Sequence, residues 1–204
     1  MNKGRSIRRA ENREDVYCRD YTRVDGAPVL QFGEKATEDG CFQSPASLAV
    51  NSKGEIVVAD TNNNRIQVFD GAGKLLRKFG SKGSGHGQFK EPSGITFDHK
   101  NHQIVVADTG NHRIQIFDGK GTFIRAFGSK GKDDGQFESP AGVAIDKEGN
   151  YFVSSNHCVQ VFDSVGNFVR KFGLEGKENG QLRYPVGVGI LSTGNVVVGD
   201  CVNR

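Results

Sequence analysis

Apolar residues in this chain gather into short runs rich in Val, Ile and Phe, and each run ends on Gly, Asp, Asn or Pro. Runs of that length and composition, bounded by turn residues, read as β-strands. They also recur. The pair Phe-Gly closes a run at Gly33, Gly80, Gly128 and Gly173, giving spacings of 47, 48 and 45. Proline returns in step at Pro45, Pro92, Pro140 and Pro185. Phe-Asp ends another run at Asp70, Asp118 and Asp163, and Ala-Asp or its equivalent ends a third at Asp60, Asp108 and Asp200. In the second unit the pattern predicts four strands, Gly94 to Phe97, Gln103 to Ala107, Arg113 to Phe117 and Thr122 to Phe127. Asp-x-x-Gly turns, Asp70-Gly-Ala-Gly73 and Asp118-Gly-Lys-Gly121, suit hairpins between the third and fourth strands. Each unit is then a four-stranded antiparallel meander with two apolar faces. One sheet cannot bury both faces alone, so successive units must stack, and radial stacking of such blades makes an all-β propeller.

Composition sharpens this without changing it. Twenty-eight glycines, five prolines, fourteen phenylalanines and no tryptophan suit many short strands joined by turns. The longest apolar runs, such as Ile104 to Ala107, are far shorter than a membrane span, and no apolar segment follows the basic N-terminus. A soluble, cytoplasmic chain with no membrane partner is expected. Cys18, Cys41, Cys158 and Cys201 lie scattered, with neither paired spacing nor a Cys-x-x-Cys, so free thiols are expected rather than a disulfide framework or zinc. Of the net charge of +3, residues 1–27 supply two, through seven Lys or Arg against five Asp or Glu. Mixed charge of that kind reads as a disordered linker.

Two stretches carry a family resemblance. Ile56-Val-Val-Ala-Asp-Thr-Asn-Asn-Asn-Arg-Ile-Gln-Val-Phe-Asp70 and Ile104-Val-Val-Ala-Asp-Thr-Gly-Asn-His-Arg-Ile-Gln-Ile-Phe-Asp118 resemble NHL repeats, and Asn111-His-Arg-Ile114 is close to the motif that names them. The chain is similar to the NHL module of TRIM-NHL and Brat-like proteins. That resemblance implies a propeller, usually of six blades, acting as a recognition module, with any ubiquitin-ligase activity residing in a RING domain outside these residues. The repeats give blades over about 41–80, 88–128 and 136–173, a partial blade over 181–204, and an orphan outer strand at 28–33. The arrangement is an open arc, which reads as part of a larger propeller.

The third unit departs from its neighbours. Val153-Ser-Ser-Asn-His-Cys-Val159 is two residues shorter, lacks the Ala-Asp pair, and puts Cys158 where the others carry Arg65 and Arg113.

In a blade meander the fourth-to-first and second-to-third connections share one face. On that face the spacing gathers Lys82, His86, Lys90, His112, Lys130, Lys132, Arg183 and Tyr184 as candidate ligand contacts. Lysines with interleaved aromatic groups suit single-stranded or hairpin RNA, whose phosphates attract cations and whose bases stack. The same face could recruit a protein substrate, and a solvated loop lysine is the plain alternative at each lysine. Asp60, Arg65, Asp108 and Arg113 read as structural, each Asp accepting backbone N–H groups of the loop that follows it and pairing with its Arg. The residues after the prolines are Ala46, Ser93, Ala141 and Val186, where RNA-binding relatives tend to carry Arg, Asn or aromatic groups. The inner strands, read as Ser47 to Val50, Gly94 to Phe97, Gly142 to Ile145 and Gly187 to Ile190, hold no His, Asp or Glu, and the five histidines share no repeat position. No catalytic set, metal site or small-molecule cofactor is expected.

Overall fold

A computed structural model describes residues 19–20 and 30–203. The proposed linker over 1–27 lies outside the described residues, save for Arg19–Asp20 (β1), which pairs antiparallel with Leu30–Gln31 (β2). The strand expected to be an orphan at 28–33 therefore has a short partner.

Three four-stranded antiparallel sheets follow, each in strict chain order. The first holds Pro45–Val50 (β3), Ile56–Asp60 (β4), Arg65–Phe69 (β5) and Leu75–Phe79 (β6). The second holds Pro92–Asp98 (β7), Gln103–Asp108 (β8), Arg113–Asp118 (β9) and Phe123–Phe127 (β10). The third holds Pro140–Ile145 (β11), Tyr151–Ser155 (β12), Cys158–Phe162 (β13) and Phe168–Phe172 (β14). Pro185–Ile190 (β15) and Val196–Asp200 (β16) form a two-stranded fourth sheet. Each proline pairs with the last residue of the neighbouring strand, Pro45 with Asp60 and Pro92 with Asp108, and the register shifts just after it. A residue without an N–H fits such an irregular strand start.

The stacking that the repeat demands is present in the packing. Between blades one and two, Val57, Ala59, Ile66 and Val68 meet Phe97, Ile104, Val106 and Phe117. Between blades two and three, Val105, Ala107, Ile114 and Ile116 meet Val143, Tyr151, Val153 and Phe162. Alternate residues of β8 and β9 thus face opposite neighbours, and Ile104 to Ala107 of β8 and Ile114, Ile116 and Phe117 of β9 are apolar because both faces of these strands are buried. At about 1.5–3 kcal/mol for each fully buried Val, Ile or Phe, the blade interfaces dominate the stability of the array.

The recurrent Phe-Gly has a packing cause. Phe79 lies 4.9 Å from Phe117 and 6.4 Å from Phe89, and Phe32 repeats this with Phe69 and Phe42 at 4.9 and 6.4 Å. The following glycines, Gly33, Gly80 and Gly128, have φ of 82°, 89° and 88°, and a Cβ there would collide with the Phe42, Phe89 or Phe137 ring. Only glycine satisfies both conditions. Gln31 thus leads into a phenylalanine that takes the fourth-strand position for the first blade's interface.

The array does not close. Leu48 and Val50 on β3, and Val186 and Val197 on the last sheet, remain about half exposed. Among the described residues, no helix is long and apolar enough to cross a membrane.

Candidate recognition face

The long fourth-to-first connections are pinned by side chains from the blade they enter. In blade one, Asp60 Oδ1 accepts the Gln43 N–H at 2.7 Å, while Oδ2 accepts Arg65 Nε at 2.8 Å, Asn63 Nδ2 at 3.0 Å and Gln67 Nε2 at 3.2 Å. Arg65 Nη2 then donates to the Glu38 and Cys41 carbonyls at 2.7 and 2.9 Å. Blade two repeats the network: Asp108 accepts from Lys90 N, Asn111, Arg113 and Gln115, and Arg113 Nη2 donates to the Gly85 and Gln88 carbonyls. Both aspartates are fully buried. This corrects one reading of the sequence. The aspartates do not cap the short turns that follow them. They accept instead from the connection entering their own blade, because the register places their carboxylates beneath it.

Two further groups in this clamp were not singled out from the sequence. Gln67 Oε1 accepts the Gly40 N–H and its Nε2 donates to the Cys41 carbonyl, and Gln115 does the same with Gly87 and Gln88. Asn63 and Asn111 donate across the loop to the Ala36 and Gly83 carbonyls. A signal was present for the glutamines: Ile-Gln-Val, Ile-Gln-Ile and Val-Gln-Val each set one polar residue between two apolar ones in the middle of a strand.

The eight candidate contacts divide by their surroundings. Lys82 and Lys130 hold equivalent positions, bridged to Phe89 and Phe137, and their side chains are exposed, as is that of Lys90. Among the described residues none of these three forms an ion pair. Lys132 stands 3.9 Å from Glu138 in an exposed pair that contributes little. His86 stacks on Phe123 at 4.4 Å and 10°, so its ring face is already covered on one side. His112 is half-buried and its Nδ1 accepts the Ser139 N–H at 3.2 Å. Burial first, then the Lys130 and Lys90 charges, hold its pKa below the usual histidine value. Arg183 is half-buried with its N–H on Asp200, and the exposed Tyr184 makes an edge contact with His157 at 4.6 Å. The structure thus brings Lys90, His112 and Lys130 together at the junction of blades two and three. Arg183 and Tyr184 belong to the next junction.

The inner strands β3, β7, β11 and β15 line an open groove of about 580 Å³, walled by small and aliphatic side chains with Thr96 and Phe97, and reached by His99 from the β7–β8 turn. Among the described residues, no three His, Cys, Asp or Glu side chains come together as a metal would require. The Cys158 thiol is half-buried, and burial pushes its pKa up.

Stacked four-stranded blades and a loop face held rigid from below define a propeller-type repeat scaffold. Two of its units are recognised as NHL repeats: the NHL repeat model matches residues 42–69 and 89–117. Protein brain tumor of Drosophila melanogaster is 41% identical over 66 residues, covering 32% of this chain and 6% of that protein. B-box type zinc finger protein ncl-1 of Caenorhabditis elegans is 56% identical over 45 residues, covering 22% and 5%. E3 ubiquitin-protein ligase TRIM71 of Rattus norvegicus is 43% identical over 60 residues, covering 29% and 7%. The chain therefore matches a small part of each of these longer relatives. Among solved structures, the nidogen/laminin complex aligns with a TM-score of 0.66 at 20% identity, covering 86% of this chain and 60% of that one. A gluconolactonase from Xanthomonas campestris aligns at 0.65 and 19%, covering 87% and 60%. At such identities these structures share the fold alone.

Proposed function

We infer that this chain is a recognition platform whose loop face binds single-stranded or hairpin RNA, with no chemistry of its own. The observation that supports this reading is the set of exposed lysines Lys82, Lys90 and Lys130, which have no carboxylate partner among the described residues. Two of them flank the turn that carries His112: the Gly110 N–H donates to the Lys90 carbonyl at 2.8 Å, and the connection containing Lys130 is tied to His112 through the Ser139 N–H at 3.2 Å. Ammonium groups held over a rigid face and left without counter-charge are sites for phosphate oxygens. Tyr184, exposed just before the last sheet, offers a ring for one base. RNA of this kind would make the chain the targeting part of a longer regulatory protein in the cytoplasm.

The test is a titration of fluorescein-labelled single-stranded RNA of mixed sequence against the wild-type chain and the Lys82→Ala, Lys90→Ala, Lys130→Ala triple variant at several salt concentrations. The triple variant should bind more weakly, and its dependence on log salt should flatten by about 2, at roughly 0.7 for each phosphate left without its lysine. Equal affinity and slope for both proteins would place RNA elsewhere or exclude it. The second reading, recruitment of a protein substrate, is favoured by Leu174, Tyr184 and Val186, which are 72%, 56% and 51% exposed at the far end of the array. It predicts partner binding that is insensitive to salt and to the lysine variant.

A further inference from the structure

The third blade breaks the clamp that the first two share. Its register is unchanged: Ser155 pairs with Cys158 as Asp60 pairs with Arg65 and Asp108 with Arg113. Ser155 thus stands in the aspartate position, Cys158 in the arginine position, and the trimmed loop has no counterpart of Asn63 or Asn111. Gln160 alone survives, with Oε1 accepting the Gly135 N–H and Nε2 donating to the Gln136 carbonyl at 2.6 Å. Asn156, the nearest amide, turns instead to Glu138 Oε2 at 2.9 Å.

The connection that these side chains should pin is nevertheless built as in the other blades. Its parallel bridge Lys130 to Phe137 and its Gln136 N–H to Asp133 carbonyl bond match Lys82 to Phe89 and Gln88 to Gly85. The acceptors are therefore still presented. Counting from the repeated Phe-Gly, Asp133 and Gln136 correspond to the two carbonyls that one arginine Nη2 bridges in each earlier blade, and Gly131 to the carbonyl that takes the asparagine amide. Among the described residues no guanidinium reaches the first two, and no side-chain amide reaches Gly131. Beside Cys158 and Asn156 there is a pocket of about 290 Å³, lined by Gly131, Gln136, Cys158 and the charged Lys132, Glu138, Lys171 and Glu175 among others. His157 also lines it, with a buried Nδ1 that has no partner among the described residues.

We propose that this vacated slot is a binding site for the guanidinium of an arginine side chain presented by a partner protein. The incoming group replaces the internal arginine that blades one and two supply for themselves. Its donors meet the Asp133 and Gln136 carbonyls. On the wall, among the described residues, Glu138 and Glu175 face only distant basic partners, Lys132 at 3.9 Å and His157 at 3.7 Å, while Lys171 is held by Asp134 at 2.7 Å. The guanidinium displaces the two long contacts and takes the carboxylates as the negative charge that Ser155 does not supply. A planar fork of five N–H donors suits two carbonyls three residues apart, whereas an ammonium offers a single point of charge. RNA carries no such cation, so the slot and the lysines of the loop face address different ligands.

The test uses N-acetyl-argininamide as probe, titrated into the isotopically labelled chain and followed by amide chemical shifts, with N-acetyl-lysinamide and N-acetyl-leucinamide alongside. Saturable shifts confined to Gly131–Gln136 and Asn156–Gln160, larger for arginine than for lysine and missing for leucine, are expected. Cys158→Arg refills the slot from within and should abolish them. No saturable shift, equal response to leucine, or shifts that persist in Cys158→Arg would overturn the proposal. Should that variant fail to fold, alkylation of the unaltered chain by iodoacetamide decides. With the probe at its dissociation constant, Cys158 should react about twofold more slowly while the exposed Cys201 is unaffected. Equal rates with and without the probe would refute the site. A failure of the RNA titration leaves both measurements unchanged, so the two readings fall separately.

Discussion

His112 Nδ1 accepts the backbone N–H of Ser139 at 3.2 Å, tying the second blade to the loop that enters the third. One blade earlier Asn64 makes the same tie, its Oδ1 accepting the Glu91 N–H at 3.0 Å. Both residues sit in the left-handed region, with φ of 56° and 53°. A ring nitrogen can accept only while unprotonated, so this blade contact requires neutral imidazole.

A pH dependence follows. The folded-state pKa of His112 is lowered, by burial first and then by Lys130 and Lys90. The unfolded chain therefore binds more protons over the window that runs down from about 6.5, the ordinary histidine value. Stability contributed by neutral His112 is complete above that window and declines as pH falls through it. His112→Asn keeps an acceptor of the kind Asn64 supplies and removes the titration. Thermal melts from neutral to mildly acidic pH should show wild type losing more Tm than His112→Asn. Parallel losses would show that His112 does not govern this range.

The glutamines of the clamp should be among the costliest polar residues to replace. Gln115→Leu retains bulk but strands the Gly87 N–H and removes a donor from both Gln88 O and Asp108. A loss of about 2–4 kcal/mol in denaturant unfolding is expected, from two or so unsatisfied buried groups. Hydrogen exchange should quicken at Gly87 before it does in β8 or β9.

Blade three shows that the Asp–Arg pair can be removed as a unit. Asp108 is fully buried and its Arg113 partner is mostly so. Asp108→Ser alone leaves a buried guanidinium without its carboxylate, and Arg113→Cys alone leaves a buried carboxylate, each costing about 3–5 kcal/mol. The double variant reproduces the Ser155 and Cys158 arrangement and should cost less than the sum of the singles by about 0.5–3 kcal/mol. Additive losses in a double-mutant cycle would show that the pair is not the coupled element.

The inner strands set a graded glycine test. A Cβ on Gly94 would run into the Ala141 carbonyl, and one on Gly142 into the Val186 carbonyl, while one on Gly187 meets nothing within 4 Å. Gly142→Ala should cost about 1–3 kcal/mol through overpacking. Gly187→Ala should be silent in the monomer. The apolar flanks with Leu48 and Val197 half exposed are expected to drive self-association at rising concentration. Sedimentation velocity should show Leu48→Lys with Val197→Lys reducing it. A wild-type chain that stays monomeric throughout the concentration range would count against that.

The repeat, the four strands per unit, the hairpin turns and the need for units to stack were legible in the sequence, because each follows from local periodicity and turn chemistry repeated three times. Strand boundaries agree within a residue or two, as with Phe123–Phe127 against Thr122 to Phe127. So was the departure at Ser155 and Cys158, since register is preserved when a loop shortens between paired strands. Which group each buried polar atom serves was not legible. Asp60 and Gln67 are seven residues apart, yet both hold one connection, 17 to 27 positions back along the chain at Gly40, Cys41 and Gln43. That pairing exists only once the blade closes over the loop. Likewise His86 and His112 look like free side chains in a loop until packing lays one on Phe123 and turns the other to Ser139. Local sequence determines which strands form and which faces are apolar. Hydrogen-bond partners across blades depend on distances that the chain acquires only by stacking, and for that reason only the tertiary structure decided them.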